Sequence, residues 1–264
     1  MNSDIRIVKV GGAVVENDAS LLSLLNQFAA LDGSRVLVHG GGRSATRLAE
    51  RLGLETRMVA GRRVTDAEML AVVTMVYGGL VNKSVVARLQ AMGINALGLT
   101  GADLNIIRSH RRPPRMVDGE QVDYGFVGDI DSADGARLLR LLADGITPVL
   151  APLSHDGAGS MLNVNADTIA ATAAIALATE GADVTLTYCF EKPGVLANPD
   201  DDSSVIPLIT PASFARLASD GTISGGMLPK IENALDALRR GVRRVIITSA
   251  TDIRGEHGTV ITNN

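Results

Sequence analysis

The chain of 264 residues is long enough to bury a sizeable core, either as one large α/β domain or as two closely joined lobes. Its apolar content of 46% and charged content of 20% are ordinary for globular proteins and argue against a disordered or fibrous chain. A formal net charge of −4 and an aromatic content of 3% argue against nucleic acid as a partner, because they provide neither a basic surface nor many stacking side chains.

Short β-branched segments alternate with longer Ala- and Leu-rich segments along the chain. The predicted strands are 5–10, 35–39, 94–99, 146–151, 183–188 and 243–249, and the predicted helices are 18–31, 43–53, 66–90, 132–144, 167–180 and 228–240. This order predicts a mainly parallel central sheet with helices on both faces, a three-layer α/β/α sandwich. Residues 100–128 interrupt the alternation, and we expect them to form short strands with a hairpin, as a flap on the substrate side.

The sequence also bears on location. Its most apolar run, 168–179, is shorter than the roughly 18–20 residues that a membrane-spanning helix needs, and residues 1–10 have no apolar core of signal-peptide length. We therefore expect a cytoplasmic protein without a membrane partner. The one cysteine, Cys189, lies in an apolar run, which predicts a buried thiol.

Two glycine-rich turns follow the first two predicted strands, "KVGG" at 9–12 and "HGGG" at 39–42. Glycine lets backbone N–H groups approach an anion closely, and ligands of parallel sheets bind beyond the carboxyl ends of the strands. Neither turn is a dinucleotide fingerprint or a Walker A loop. Tight turning alone is the alternative interpretation, and two such turns on consecutive strands make it weaker.

The segment "NVNAD" places Asn163, Asn165 and Asp167 at every second position. An extended backbone would point all three side chains the same way, just before a predicted helix. The alternative for Asp167 is an ordinary helix N-cap.

Further cations stand at element ends. Lys230 lies near the start of a helix, where a cation is electrostatically disfavoured, so either it serves a ligand or it is simply exposed. Arg62 and Arg63 are adjacent in "GRRVT", so we expect at most one of them to point into a cleft, where its guanidinium could hold a carboxylate. The histidines show no metal-ligand spacing, and we expect His39 to be a packed or hydrogen-bonding residue rather than a base.

Two glycine turns, two lysines and an aspartate on separate elements describe a phosphoryl-transfer site without a P-loop. In this order and spacing the chain resembles the acetylglutamate kinases of the amino-acid kinase family, whose fold is carbamate kinase-like. The matching segments are "KVGG" (9–12), "HGGG" (39–42), "GRRVT" (61–65), "NVNAD" (163–167) and "GGMLPK" (225–230). The resemblance covers essentially the whole chain.

The resemblance implies a role for each matched position. Lys9 and Lys230 would stabilise charge on the transferring phosphoryl group, and Asp167 would orient both lysines. The implied substrate-binding residues are Gly41, Gly42, Arg63, Asn163 and Asn165. The implied ATP-binding residues are Gly11, Gly12, Lys192, Gly194, Val195, Leu196, Ser224 and Met227. Mg²⁺ would be held by ATP phosphates and water, without dedicated protein ligands.

The resemblance also implies an organisation and a reaction. Residues 1–180 would form a lobe for the acylated amino acid and for dimerisation, and 181–264 a nucleotide-binding lobe. The expected reaction is ATP-dependent phosphorylation of the side-chain carboxylate of N-acetyl-L-glutamate in arginine biosynthesis. The first strand begins almost at Met1, without the extra helix that accompanies arginine inhibition and hexamers in this family, so we expect an arginine-insensitive homodimer.

Two departures leave alternatives open. The family commonly has an aspartate in a segment like "LTDVPGVL", whereas this chain reads "LTYCFEKPGVL" at 186–196, and the residue before Gly226-Met227 is Gly225 where an acid is usual. The first segment and the basic residues of 108–115 resemble a bacterial subgroup in which N-succinyl-L-glutamate replaces the acetyl substrate. A non-catalytic nucleotide or amino-acid sensor of the same fold is the alternative from another class. Loss of a catalytic lysine would favour it, and both lysines are present.

Overall fold

A sheet of eight strands forms the centre of the molecule, and the computed structural model describes residues 4–225 and 227–263. The strands are β1 (Asp4–Val10), β2 (Ser34–His39), β3 (Met58–Val59), β4 (Arg62–Arg63), β5 (Ala96–Leu99), β6 (Ile107–Arg111), β7 (Arg115–Val117), β8 (Glu120–Val122), β9 (Gly128–Ala133), β10 (Thr147–Leu150), β11 (Leu153–His155), β12 (Met161–Asn163), β13 (Asp183–Phe190), β14 (Leu208–Ile209), β15 (Arg244–Ser249) and β16 (Thr259–Ile261). The helices are α1 (Gly12–Glu16), α2 (Asp18–Ala29), α3 (Gly42–Arg51), α4 (Ala67–Val73), α5 (Asn82–Ala91), α6 (Gly135–Ala143), α7 (Ala166–Thr179), α8 (Pro211–Ser219) and α9 (Met227–Arg239), with a π-helical segment at Thr74–Val81 and a 3₁₀ turn at Asp103–Asn105.

The strand order of the central sheet is β14-β16-β15-β13-β1-β2-β10-β5. The neighbouring pairs are parallel, except that β15 and β16 are antiparallel. β1 lies between β2 and β13, in a register that puts Lys9 opposite Tyr188 and Val38. The predicted mainly parallel sheet is confirmed, and the carboxyl ends of β1, β2 and β13 meet at one edge.

Helices cover both faces of this sheet, as predicted. On one face α6, α7 and α9 pack against Ile5 and Ile7 of β1, and on the other α1 to α5 pack against Val8 and Val10. Because side chains alternate along a strand, Lys9 projects to the same face as Ile5 and Ile7. It therefore points to the layer that contains α7 and α9.

The interrupting segment forms short strands and a hairpin, as predicted. β7 and β8 form the hairpin, while β6 joins β9, β11 and β12 in a second sheet of four strands. Two backbone hydrogen bonds hold this segment against Thr65, which follows β4. The Thr65 N–H donates to the Tyr124 carbonyl, and the Thr65 carbonyl accepts from the Phe126 N–H. Gly125 lies between them with φ +68°, and a Cβ there would come 2.2 Å from the Thr65 carbonyl oxygen. Only glycine fits this contact.

Besides the apolar helix that contains 168–179, the structure has a longer apolar helical region, Ala67–Ala91. This region of 25 residues is long and apolar enough by composition to cross a membrane. One side of it is nevertheless buried against the sheet through Val72, Val73, Val76 and Leu89. It is a core helix, and such helices pass the same compositional test.

Candidate active site

The predicted catalytic residues meet at the carboxyl edge of the central sheet. Lys9 comes from the end of β1, Asp167 from the first turn of α7 and Lys230 from the first turn of α9. All three border a cavity of about 520 Å³, here called the phosphate cavity. Its other lining residues are Gly11, Gly12, Ala13, Val14, Gly42, Arg43, Phe190, Glu191, Lys192, Gly194, Met227 and Ile247.

Lys9 and Asp167 form an ion pair that is largely shielded from solvent. The Lys9 ammonium lies 2.7 Å from Asp167 Oδ1, and the two side chains are 8% and 24% exposed. The carboxylate also benefits from the positive end of α7. Tyr188, opposite Lys9 in β13, donates its hydroxyl to the backbone carbonyl of Asp167 at 3.3 Å. The pair therefore has fixed geometry before any substrate binds.

Asn165, rather than Asp167, caps α7. Its side-chain oxygen accepts from the backbone N–H groups of Asp167 and Thr168 at 2.8 and 3.3 Å. The expectation that Asn163, Asn165 and Asp167 all point the same way is wrong, because the extended backbone ends at Asn165 and Asp167 is already helical. The interpretation of Asp167 as an ordinary N-cap is also wrong. Its carboxylate remains available to Lys9.

Lys230 is half-buried at the phosphate cavity. Burial lowers the pKa of its ammonium, the charge of Asp167 opposes this shift, and the charge of Lys9 adds to it. Within the described residues the ammonium has no carboxylate oxygen within 4.0 Å, so Asp167 is ion-paired with Lys9 alone. The Lys230 Nζ instead lies 3.9 Å from the ring centroid of Phe190.

The two glycine turns pack against each other. The Gly11 N–H donates to the Cys189 carbonyl at 3.2 Å, and the Gly40 N–H donates to the Val10 carbonyl at 2.9 Å. A Cβ on Gly40 would lie 3.0 Å from the Gly12 nitrogen. Because the Gly11 N–H is already used within the sheet, Gly12 is the better placed of the two glycines to meet an anion.

His39 is buried beneath the second turn. Its Nδ1 lies 2.8 Å from the Gly40 carbonyl oxygen, to which it donates, and its Nε2 lies 3.1 Å from the Asn82 amide nitrogen. Burial lowers its pKa to about 4, despite the bond to Gly40, and nearby Lys83 adds to the shift. The imidazole is therefore neutral at pH 7. The predicted packed, hydrogen-bonding role is confirmed.

A second cavity of about 180 Å³, here called the acceptor cavity, contains the five predicted substrate-binding residues. Those residues are Gly41, Gly42, Arg63, Asn163 and Asn165. Gly42 also lines the phosphate cavity, so the two cavities meet there. A donor in one cavity and an acceptor in the other would face each other across this glycine.

Arg63 and Asn163 are held by one hydrogen-bond network. The buried guanidinium of Arg63 donates to the Gly42 carbonyl at 2.9 Å and to the Thr46 hydroxyl at 2.8 Å. Asn163 donates to the Thr65 hydroxyl at 3.0 Å, which in turn donates to the Arg63 carbonyl at 2.9 Å. Arg63 also donates through Nη1 to the Thr56 hydroxyl at 3.2 Å. The Nε proton and one Nη1 proton of Arg63, and the amide oxygen of Asn163, are not used by these bonds and remain for a ligand.

Both adjacent arginines line the acceptor cavity, although at most one was expected to do so. Arg63 extends toward α3, whereas Arg62 lies among the charges of Arg112, Arg115 and Asp129. Burial, and then the charge of Arg112, lower the pKa of Arg62. Arg112 is itself paired with Asp129. Three guanidinium groups thus surround one carboxylate, which leaves net positive charge beside the cavity.

Six of the eight predicted ATP-binding residues lie together in a third, mostly apolar cavity of about 220 Å³, while Gly11 and Gly12 line the phosphate cavity. The six residues are Lys192, Gly194, Val195, Leu196, Ser224 and Met227. Pro199, Thr222 and Ile223 complete the lining. Gly226, in the matched "GGMLPK" segment, falls outside the described residues. Apolar walls with a cation at one side suit a planar base attached to phosphates.

Three aromatic residues of the site were missed by the sequence reasoning. A Cβ on Gly41 would lie 3.0 Å from the Tyr77 ring, so this tyrosine of the π-helical segment supports the glycine turn. Tyr188 and Phe190 lie beside the lysines. The one available signal was the unusual "YCF" at the end of a predicted strand.

Neither a reactive thiol nor a metal-binding cluster is found in the described part of the chain. Cys189 is buried, as predicted, and burial raises the pKa of its thiol to about 12, although the Lys9 charge opposes this. Among the residues that the structure describes, no group of three or more His, Cys, Asp or Glu side chains is arranged to hold a metal ion.

Comparisons with known proteins show the family of the chain. Residues 4–249 match the Amino acid kinase family. The acetylglutamate kinase of Bacteroides thetaiotaomicron is 58% identical over 261 residues, which cover 99% of this chain and 99% of that protein. That of Cytophaga hutchinsonii is 51% identical over 247 residues, covering 94% and 92%.

Solved structures share the fold. The protein smu.665 from Streptococcus mutans UA159 covers 98% of this chain and 99% of its own, with 28% identity and a TM-score of 0.78. Carbamate kinase from Giardia lamblia bound to AMP-PNP covers 100% and 99%, with a TM-score of 0.65 and 13% identity, which shows the fold alone. From the family match and the 58% identical relative, the chain belongs to the amino acid kinase family and, within it, to the acetylglutamate kinases.

Proposed function

We propose that this enzyme transfers the γ-phosphoryl group of ATP to the side-chain carboxylate of N-acetyl-L-glutamate, giving an acyl phosphate in the second step of arginine biosynthesis. The observation that carries the proposal is that Lys9, Asp167 and Lys230 border the phosphate cavity, which shares Gly42 with the acceptor cavity. Arginine biosynthesis is the route served by the acetylglutamate kinases, to which the chain belongs.

The chemistry requires charge neutralisation above all. A carboxylate oxygen bonds to the γ-phosphorus while the bond from that phosphorus to the bridging oxygen breaks, and ADP leaves with the electron pair. At about 4 Å and an effective dielectric near 20, each pair of unit negative charges costs roughly 4 kcal/mol. Lys9 and Lys230 offset this cost, and Asp167 holds Lys9 in place. Positioning and electrostatics supply most of the catalysis in phosphoryl transfer.

The nucleotide and its metal fit the phosphate cavity and the mostly apolar cavity beside it. The base would occupy the apolar cavity beside Val195 and Met227, with its phosphates directed toward Gly12 and the lysines. Asp167 and Glu191 border the phosphate cavity, but each faces a cation, Lys9 and Arg43 respectively. Mg²⁺ would therefore be held by the phosphates and water, and when bound it would neutralise part of their charge.

The acyl group has a second candidate. N-succinyl-L-glutamate carries one more carboxylate than the acetyl compound. Besides Arg63 and Asn163, the acceptor cavity is lined by a further cation, Arg62, which could pair with that carboxylate. The net positive charge of Arg62, Arg112 and Arg115 around Asp129 favours an anionic acyl end there. This observation supports the succinyl substrate as an alternative for the same reaction.

We further propose a cytoplasmic homodimer, with residues 1–180 serving the acceptor and 181–264 the nucleotide. The dimer is supported by exposed apolar side chains on the edge strand and on the long helical region. Leu97 lies on the edge strand β5 and is 37% exposed, and Met75 and Leu80 of the π-helical segment are 53% and 68% exposed. Exposed apolar side chains of this size would be stabilised by packing on a second copy of the chain.

The reaction is tested by trapping the acyl phosphate with hydroxylamine, using N-acetyl- and N-succinyl-L-glutamate side by side. We expect ATP-dependent hydroxamate formation, and at least a roughly 100-fold lower kcat for Lys9→Met, because one charge-stabilising donor is lost. Arg51→Met, an exposed cation of α3, is the matched control and should retain activity.

The outcomes are separable. Turnover of neither acylglutamate would contradict the proposed reaction, and an unimpaired Lys9→Met enzyme would contradict the proposed mechanism. A preference for the succinyl compound that Arg62→Gln abolishes would select the second candidate. A preference for the acetyl compound that Arg62→Gln leaves unchanged would remove it.

A further inference from the structure

Phe190, the last residue of β13, presents its ring to both lysines of the candidate active site. The ring centroid lies 3.9 Å from Lys230 Nζ and 4.9 Å from Lys9 Nζ. Both distances are within the roughly 6 Å over which an ammonium group is attracted to the face of an aromatic ring. One uncharged side chain therefore contacts both cations of the site.

The contact of two lysines with the Phe190 ring is informative because lysine is scarce in this chain. The sequence contains four lysines against 21 arginines, and three of the four, Lys9, Lys192 and Lys230, border the phosphate cavity. Surface cations in this chain are almost always arginine. An aromatic ring that contacts two of the four lysines is thus a feature of the site rather than of the general surface.

The ring is held in place by its own strand. Phe190 stacks on Tyr188 with centroids 6.2 Å apart and an interplanar angle of 20°. Tyr188 is buried, and its hydroxyl is bonded to the Asp167 carbonyl. The strand β13 therefore carries both the aromatic pair and the hydroxyl that is bonded to the backbone of Asp167.

We propose that Phe190 is a positioning residue that holds the Lys9 and Lys230 ammonium groups at the phosphate cavity when it is empty, and yields Lys230 to the phosphoryl group when ATP binds. This inference rests on the proposed function of the two lysines. It assigns a role to the contact between the Lys230 ammonium and the Phe190 ring, which stands where an ion pair would otherwise be expected.

The Phe190 ring holds Lys230 more weakly than a carboxylate would, and this difference suits phosphoryl transfer. A second carboxylate at this position would hold Lys230 more firmly, but it would also repel the incoming phosphate and neutralise a charge that the reaction needs. An aromatic face attracts an ammonium group without carrying net charge. It also offsets part of the burial cost that lowers the pKa of Lys230. Lys230 is thereby kept charged, oriented and transferable.

The kinetic test compares Phe190→Leu with Phe190→Tyr in the full-length enzyme. We expect Leu to lower kcat by about 3- to 10-fold while the KM for the acylglutamate changes by less than about twofold, because the ring acts on the lysines and not on the acceptor. The alkaline limb of the kcat profile should move about half a pH unit lower, since the ammonium loses its stabilising face. Tyr keeps the ring and should restore both properties.

Phe214→Leu is the matched control for the loss of an aromatic side chain. Phe214 is a half-buried residue of α8 that packs on the core. It should leave the pH profile unchanged. Equal pH profiles in the wild-type enzyme and Phe190→Leu would overturn the proposal, as would a Tyr variant that is as impaired as Leu.

A second measurement needs no turnover. Reductive ¹³C-dimethylation labels the few lysines, and Lys230→Arg assigns the Lys230 signal. A methylammonium group over a ring face is shifted upfield, so we expect an upfield Lys230 signal that moves downfield in Phe190→Leu and in the ATP complex. A signal that is unshifted, or unchanged by the substitution, would overturn the proposal. If the wild-type enzyme turned over neither acylglutamate, the proposed function would fail while this measurement would still judge the contact.

Discussion

At the scale of single residues, the site depends on a division of labour between Asn165 and Asp167. A helix start leaves backbone N–H groups without partners, and a carboxylate two residues along could have satisfied them. Asn165 performs that task with an uncharged oxygen. The Asp167 carboxylate is thereby left to pair with Lys9 at 2.7 Å. A structural requirement of α7 and a chemical requirement of the site are met by different residues.

His39 gives a prediction at this scale, because its pKa falls from 6.5 to about 4 on burial. Below about pH 6.5 the imidazole is protonated in the unfolded chain, whereas in the folded chain it stays neutral down to about pH 4. Folding stability is therefore lost as the pH falls through this window, by about 3 kcal/mol in total. Urea unfolding from pH 7 to pH 4 should show a steeper loss for the wild-type protein than for His39→Gln. Parallel curves would contradict this account.

The three charged residues of the site could be predicted from the sequence, whereas its aromatic residues could not. Lys9, Asp167 and Lys230 follow strand ends or begin helices, positions that a parallel sheet brings to one edge whatever the details of packing. The Phe190 contact depends on the register of β13 against β1 and on where α9 begins. Those are tertiary facts, and no local pattern of the sequence encodes them.

At the scale of elements, the π-helical segment Thr74–Val81 shows the same limit. The sequence predicts one helix over 66–90, and the helical region is present, but an apolar periodicity does not reveal a change from i→i−4 to i→i−5 hydrogen bonding. The wider turn places the Tyr77 ring against Gly41. The predicted elements were all found within three residues of their ends. The strands β3, β4, β11, β14 and β16 were missed, because two or three residues carry too little pattern, and the helices α1 and α8 were not predicted either.

The end of α2 gives a prediction at this scale. Arg35 of β2 directs Nη1 to the carbonyl oxygens of Phe28, Ala29 and Leu31, at 2.9, 2.6 and 2.8 Å. One guanidinium thus donates to three carbonyl oxygens at the end of α2 and just beyond it, where donors within the helix run out. Arg35→Met should lower the free energy of unfolding by about 1.5–3 kcal/mol, measured by urea denaturation.

Arg51→Met, which removes an exposed arginine at the end of α3, should cost less than about 0.5 kcal/mol. The comparison separates the hydrogen-bonded cap from the general effect of a cation near a helix end. Equal losses in the two variants would show that the three carbonyl contacts do not carry the stabilisation.

At the scale of the whole molecule, the exposed apolar side chains of Met75, Leu80 and Leu97 give a test of the proposed dimer. Leu80→Glu places a charge on the most exposed of these side chains and should convert the dimer to a monomer in light scattering, because burying an unpaired carboxylate is costly. Leu208→Glu, at the opposite edge of the sheet on β14 and 50% exposed, should leave the dimer intact. A monomeric wild-type protein, or a dimeric Leu80→Glu variant, would contradict the proposal.

The central place of β1 has a consequence for synthesis in the cell. β1 is translated before every other element of this fold, and one of its two neighbours, β13, follows more than 170 residues later. At 5–20 residues per second this delay is roughly 10–35 s. During it, the side of β1 that will pair with β13 is an open strand edge rich in Ile and Val, the kind of edge that invites wrong pairing. We therefore expect the nascent chain to need a chaperone most during the interval between the synthesis of β1 and that of β13.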